Sequence, residues 1–335
     1  MNSKELQYIC VVGYGWSGSS AVVDLLKEFN GNWDSEAEFF ILTNPHGVVD
    51  LENVLFERWD AHNVDIAIHD FLKFARFINN NEGKFKRGMD YDKFFRGKFM
   101  EATENFIDEI TNFRYKSYWW IYNFRMPYLK WLAKKIANKI IPQEYVETMY
   151  FADLDKETFY HAVKRYMNNL VEIIADGKEL RNIILDQAVQ PQHALKAFDY
   201  FDNVKVIIVD RDPRDIYCDM VELEKLIGRD IAVTHDATKF VKWHKKYRQN
   251  NEVKNDRILR IQFEDLVLHY DDMVKQITDF IGDNAMAHVE KLKHFDPAVS
   301  RKNVGKYLSF PYQDEIRVLE KELAEYLYPL EKQEK

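Results

Sequence analysis

Tyr8-Ile9-Cys10-Val11-Val12-Gly13-Tyr14-Gly15-Trp16-Ser17-Gly18-Ser19-Ser20 decides how the chain reads. Tyr8 to Val12 is a β-branched and aromatic run closed by glycine, the pattern of a buried strand. Beyond the serines, Val22, Leu25, Leu26 and Phe29 recur at i, i+3, i+4 and i+7, one apolar face of a helix. Ser19 or Ser20 is placed to cap that helix through its hydroxyl. A strand, a glycine-serine turn and a helix N-terminus gather free backbone N–H groups and a positive dipole end at one point, where an anion such as a nucleotide phosphate is held. The turn is not a Walker A loop, because no Gly-Lys-Ser/Thr follows the glycines. Gly13, Gly15 and Gly18 fit G-x-G-x-x-G, but that spacing is weak alone, and no acid closes a clear second strand, although Glu36 and Glu38 lie near it.

Strand and helix patterns alternate outward from this turn. Asn32 to Leu42 reads as a second strand with two acids at its entrance. Asn182–Asp186, Val204–Val209 and Arg257–Ile261 read as further strands, with helices over Asp215–Ile227, Ala237–Gln249, Met273–Ile281 and Glu315–Tyr326. Short apolar strands separated by helices imply an α/β fold with a central parallel sheet covered on both faces. Residues 66–174 read as a string of helices, too long for a loop, and are taken as a helical cap inserted into a single domain spanning 1–335.

Composition narrows the class. Of 335 residues 46% are hydrophobic, ample for a core, and no stretch reaches the length of a membrane span. Met1 to Glu5 carries no apolar signal region, and Cys10 and Cys218 fall in a predicted strand and helix, so a cytoplasmic protein without a disulfide framework is expected. A net charge of −8 argues against general nucleic-acid binding. His46, His69, His235 and His244 read as lacking partner acids or cysteines at metal spacing, and no metal is expected.

Two further constellations carry cations. In Val209-Asp210-Arg211-Asp212-Pro213-Arg214-Asp215, Arg211 lies past the carboxyl end of a buried strand, where open α/β sheets bind ligands, and its planar fork of donors suits phosphate. Asp212, Arg214 and Asp215 read instead as a surface ion-pair cluster capping the next helix. Ser300-Arg301-Lys302-Asn303-Val304-Gly305-Lys306-Tyr307 sets three cations around one glycine, a phosphate-seeking loop.

Taken in order, these motifs resemble the sulfotransferases that use 3′-phosphoadenosine 5′-phosphosulfate (PAPS), over roughly residues 6–50 and 182–310. Arg260-Ile261-Gln262-Phe263-Glu264-Asp265-Leu266 is similar to that family's R-[YF]-E-D-L segment. The resemblance implies a P-loop-like sulfotransferase fold with PAPS as co-substrate. It implies that Trp16, Ser17, Gly18, Ser19 and Ser20 hold the 5′-phosphosulfate, that Arg211 contacts the 3′-phosphate, and that Arg301, Lys302 and Gly305 belong to a loop closing over it. Glu36-Ala37-Glu38-Phe39-Phe40 resembles the E-x-x-F-F stretch of carbohydrate sulfotransferases, which favours Glu36 as catalytic base; Glu38 has the same strand parity and stays a candidate. Two positions depart from the pattern. Trp16 replaces the loop's basic residue, with Lys306 or a lysine of the cap as candidate substitutes. Asp219 stands where the family has a serine that binds the 3′-phosphate, so either Asp219 points away or the donor binds unusually.

The cap concentrates aromatics and cations between Tyr115 and Trp131, followed by the short basic amphipathic piece Trp131–Ile140. Such a surface suits sugar rings or a membrane interface. A carbohydrate or lipid-linked glycan acceptor is expected, with peripheral membrane contact through the cap. The rivals are a nucleotide-dependent kinase of P-loop descent and a catalytically inactive sulfotransferase-like module that binds glycans.

Overall fold

The computed structural model describes residues 6–79, 88–140, 146–177, 180–223, 235–249, 254–282 and 287–330. They fall into two compact units: residues 1–43 with 167–335, and residues 44–166.

The first unit is built on β1 (Gln7–Gly13), β2 (Asn32–Glu38), β5 (Asn182–Asp186), β6 (Val204–Asp210) and β7 (Ile258–Gln262). These five strands are parallel and lie in the order β2-β5-β1-β6-β7. Every residue of β1 is buried. Its alternate side chains enter opposite layers: Ile9 and Val11 pack with Val22, Leu25 and Leu26 of α1 (Ser19–Lys27). Tyr8, on the other parity, donates its hydroxyl to Asn168 and lies 4.7 Å from the ring of Phe201, which ends α9 (Ala197–Tyr200). Three more segments complete the part of this unit that bears the site: α10 (Pro213–Leu223), α11 (Ala237–Tyr247) and the turn from β7 into α12 (Phe263–Leu268). The reading of α10 on to Ile227 runs into residues outside those described.

The second strand ends at Glu38 rather than Leu42, and its register with β5 shifts between Asp34 and Glu38. Equal parity therefore does not place Glu36 and Glu38 on one face.

The second unit holds α2 (Val48–Glu57), α3 (Ala61–Asn79), α4 (Tyr91–Phe94), α5 (Phe99–Ile110), α6 (Ile121–Arg125) and α7 (Tyr128–Ile140), with most of α8 (Lys156–Ala175). It is not helical throughout: β3 (Phe113–Ser117) and β4 (Glu147–Phe151) form an antiparallel pair. The 29 residues between these strands hide the short turn by which a hairpin is recognised in sequence. Asp65 of α3, wholly buried, ties the unit together by accepting from the backbone N–H of Tyr150 (2.8 Å) and from the Tyr122 hydroxyl.

Candidate functional site

Parallel strands deliver their carboxyl ends to one edge, and the loops that follow β1, β5, β6 and β7 meet there. After β1, Gly15, Trp16 and Gly18 all take left-handed φ (74°, 51° and 86°). Alternation of this kind gathers backbone N–H groups into an anion-binding concavity. Gly18, not a serine, is the N-cap of α1 and makes no side-chain cap bond, which corrects the expected serine cap. Only glycine fits, since a Cβ there would lie 2.3 Å from the Phe263 ring. Ser17 is buried and its Oγ accepts from Tyr14 N–H, closing the turn internally. Ser19 is held by Gln187, which donates to its Oγ (2.9 Å) and accepts from Gly13 N–H (3.4 Å). Gln187 follows β5 in a left-handed conformation, and no motif pointed to it.

Arg211, directly after β6, is 6% exposed and joins three segments. It donates to the carbonyl of Trp16 (2.9 Å), the carbonyl of Asn303 (2.7 Å) and Asp219 Oδ2 (2.6 Å), while Nε has no hydrogen-bond partner among the described residues. Asp219 does not point away: it lies between Arg211 and Lys306, whose Nζ is 2.5 Å from Oδ1 and also bonds Glu222. Two cations at this point are thus already neutralised by carboxylates. Trp16 packs its indole against the cluster of Ile216, Tyr217 and Phe240 and contributes its carbonyl to the site, not a charge.

Asp212, Arg214 and Asp215 are not a surface cluster. All three are buried, at 0%, 7% and 0% exposure. Arg214 grips Asp212 and Glu320 and lies 3.6 Å from the centre of the Tyr307 ring. Asp215 accepts from Gly305 N–H (2.7 Å) and Tyr307 N–H (3.1 Å), so it fastens the C-terminal basic loop to α10. Sequence alone gives no sign of this, because the two partners of Asp215 lie 90 and 92 residues away. Within that loop Arg301 donates to Val304 O, and Lys302 is exposed.

These segments enclose a cleft of about 510 Å³, lined on the loop side by Trp16, Gly18, Ser20 and Arg211, and opposite by Lys293, His294, Ser300 and Asn303. That size suits a nucleotide-sized ligand. Its far wall is hung on Glu28, a wholly buried residue that accepts from the backbone N–H groups of Leu292, His294 and Phe295 and contacts His288 Nε2 at 2.6 Å. Lys293 and His294 each pair with Glu290. Glu38 is exposed at the end of β2, opposite Asp186 of β5; the Glu36 side chain lies outside the described residues.

Burial pushes the carboxyls of Asp215 and Glu264 up, to about 6 and about 7. Glu264 accepts from Asp212 N–H through one oxygen, and its other oxygen has no hydrogen-bond partner among the described residues. From its ordinary 4.5 up to about 7, the native protein keeps a proton that the unfolded chain has lost, so stability falls as pH rises through that window. Glu264→Gln should flatten the fall. Between about pH 5 and about pH 8 the melting-temperature difference between variant and wild type should move in the variant's favour; a constant difference would refute the assignment.

A model of the sulfotransferase family matches residues 9–284. No curated protein sequence matches the chain. Among solved structures, the sulfotransferase STF9 from Mycobacterium avium is 12% identical with a TM-score of 0.38, over 97% of this chain and 76% of that one. The sulfotransferase domain of the Synechococcus PCC 7002 olefin synthase is 15% identical with a TM-score of 0.38, over 97% and 95%. The sulfotransferase domain from the curacin biosynthetic pathway is 14% identical, also at 0.38, over 96% and 98%.

Proposed function

Because the chain belongs to the sulfotransferase family, we propose that it transfers a sulfuryl group from PAPS to a hydroxyl of a carbohydrate or lipid-linked glycan. The observation that carries the donor assignment is the cleft where the left-handed loop after β1 meets Arg211 and the C-terminal loop. The donor supplies an activated sulfuryl group on a phosphate leaving group. The chain's own part is positioning and charge stabilisation: loop N–H groups and Ser20 at the phosphosulfate, and the Arg211 guanidinium at the 3′-phosphate. An acid at the end of β2 takes the acceptor's proton. Exposed rings support a carbohydrate acceptor, Trp120 being 64% exposed, since aromatic faces stack on sugars.

Asp219 sets the terms of donor binding. A 3′-phosphate must displace this carboxylate from Arg211, because the two anions compete for one guanidinium. By titration the protein should bind PAP, the desulfated donor product, more tightly than AMP. Asp219→Ser should strengthen PAP binding by about tenfold or more, the scale of one charged hydrogen bond, and leave AMP unchanged. Arg211→Ala should erase the preference. Equal affinities for PAP and AMP in all three proteins would sink the donor assignment. The neutralised arginine also favours a second reading, an inactive module that binds glycans; wild-type binding of sugar without PAP would support it.

A further inference from the structure

Between residues 112 and 140 the second unit carries seven cations and no acid, in a chain whose net charge is −8. Four of those cations are Lys130, Lys134, Lys135 and Lys139 of α7. An amphipathic helix of a soluble protein ordinarily turns its apolar face inward. The apolar face of α7 is turned outward: Tyr128 is 69% exposed, Leu129 78%, Leu132 36% and Ile136 53%. At 100° per residue these four span about 100° of the helix, with Lys139 among them and Lys135 just beyond Tyr128, while Lys130 lies on the far side. Trp131 and Lys134 point the opposite way, half-buried. There they line a cavity of about 640 Å³ with Lys116, Tyr118 and Asn138, with no acid among its lining residues. Trp120 and Phe124, in the segment leading into α7, are 64% and 84% exposed.

We infer that α7 docks this protein on an anionic lipid surface. An outward apolar stripe that carries Lys135 at its edge and Lys139 among its side chains lies in the plane of a membrane interface, with the stripe at the acyl boundary and the cations among the head groups. Tyr128 and Trp120 have the amphipathic rings that settle at head-group depth. Charge selects this occupant. A second copy placed by two-fold symmetry would set the lysines of one stripe against those of the other, with no acid in the segment to answer them. A bilayer rich in phosphatidylserine offers both the apolar layer and the negative potential.

The test is co-sedimentation of the full chain with two kinds of vesicle: phosphatidylcholine alone, and phosphatidylcholine with about one-third phosphatidylserine. The anionic vesicles should be bound at least about tenfold more tightly, and the difference should shrink in high salt. Lys135→Ala and Lys139→Ala should each weaken that binding by about fivefold, and Lys130→Ala, on the far side of the helix, should weaken it less. The double variant L129E/I136E should abolish binding at an unchanged melting temperature, since both side chains are exposed in the wild type. Equal binding to both vesicles would overturn the inference, as would full binding by the double variant. A wild-type dimer in light scattering that L129E/I136E dissociates would overturn it in favour of self-association. Retention on polyglutamate without vesicle binding would overturn it in favour of an acidic protein partner.

Discussion

Replacing Glu28 by alanine should lower unfolding stability by about 2–5 kcal/mol, because it strands three backbone N–H groups, one buried and two part-buried, at about 1–3 kcal/mol each, less what water reaching the part-buried ones restores. Those groups belong to Leu292, His294 and Phe295, at 3.1, 2.9 and 2.9 Å from the carboxylate, and His288 loses its partner as well. Backbone bonds from Val289 and Glu290 to Glu28 O, and the stacking of Phe29 on His288, remain. The segment should therefore loosen without detaching. Since a domain's whole margin is about 5–15 kcal/mol, this single carboxylate accounts for a large share. Denaturant unfolding measures the loss, and PAP titration reads its consequence, because Leu292 to Asp296 form a wall of the cleft. Glu28→Gln keeps one acceptor oxygen and should fall between wild type and alanine. A loss below about 1 kcal/mol for alanine would mean that the three N–H groups find other partners.

Glu28 also marks where sequence reading stops and what it can still detect. An acid in the last turn of a helix opposes the dipole, and Glu28 follows Lys27 at the end of α1, just before Asn30-Gly31. That local conflict is the only hint in the sequence that a distant donor set must satisfy it. The strand, turn and helix around Tyr8–Phe29 were legible because their apolar periods are local and the turn's glycines answer a local need. Even there the cap went to Gly18, since the deciding neighbour, Phe263, arrives from the far end of the chain. The place of Arg211, directly after a buried strand, was legible. Arg214 and Asp215 were misread because charge alone does not reveal burial: Asp215 is spent on Gly305 and Tyr307, and Arg214 on Asp212, Glu320 and the Tyr307 ring. The β3–β4 pair escaped because its two strands are joined through two helices rather than a turn.

The general base is the assignment with the largest expected kinetic effect. Removing proton acceptance while preserving shape should lower turnover by roughly 100-fold or more, with PAP affinity unchanged. Glu36→Gln and Glu38→Gln are the variants to compare, on whichever acceptor the wild type sulfates. The geometry of β2 gives Glu38 a definite place. It is exposed at the strand's carboxyl end, in register with Asp186, which in turn pairs with Val11 of β1. Glu38 thus stands two strands from β1, about 10 Å across the sheet, on the edge where the loop after β1 begins. A hydroxyl between them would have the proposed base on one side and the loop proposed to hold the phosphosulfate on the other, the in-line arrangement that sulfuryl transfer needs. The resemblance to E-x-x-F-F favours Glu36, whereas the end-of-strand position favours Glu38, and the register shift between Asp34 and Glu38 removes parity as a guide. One variant should therefore lose turnover and the other keep most of it. If both keep full turnover, neither glutamate takes the proton.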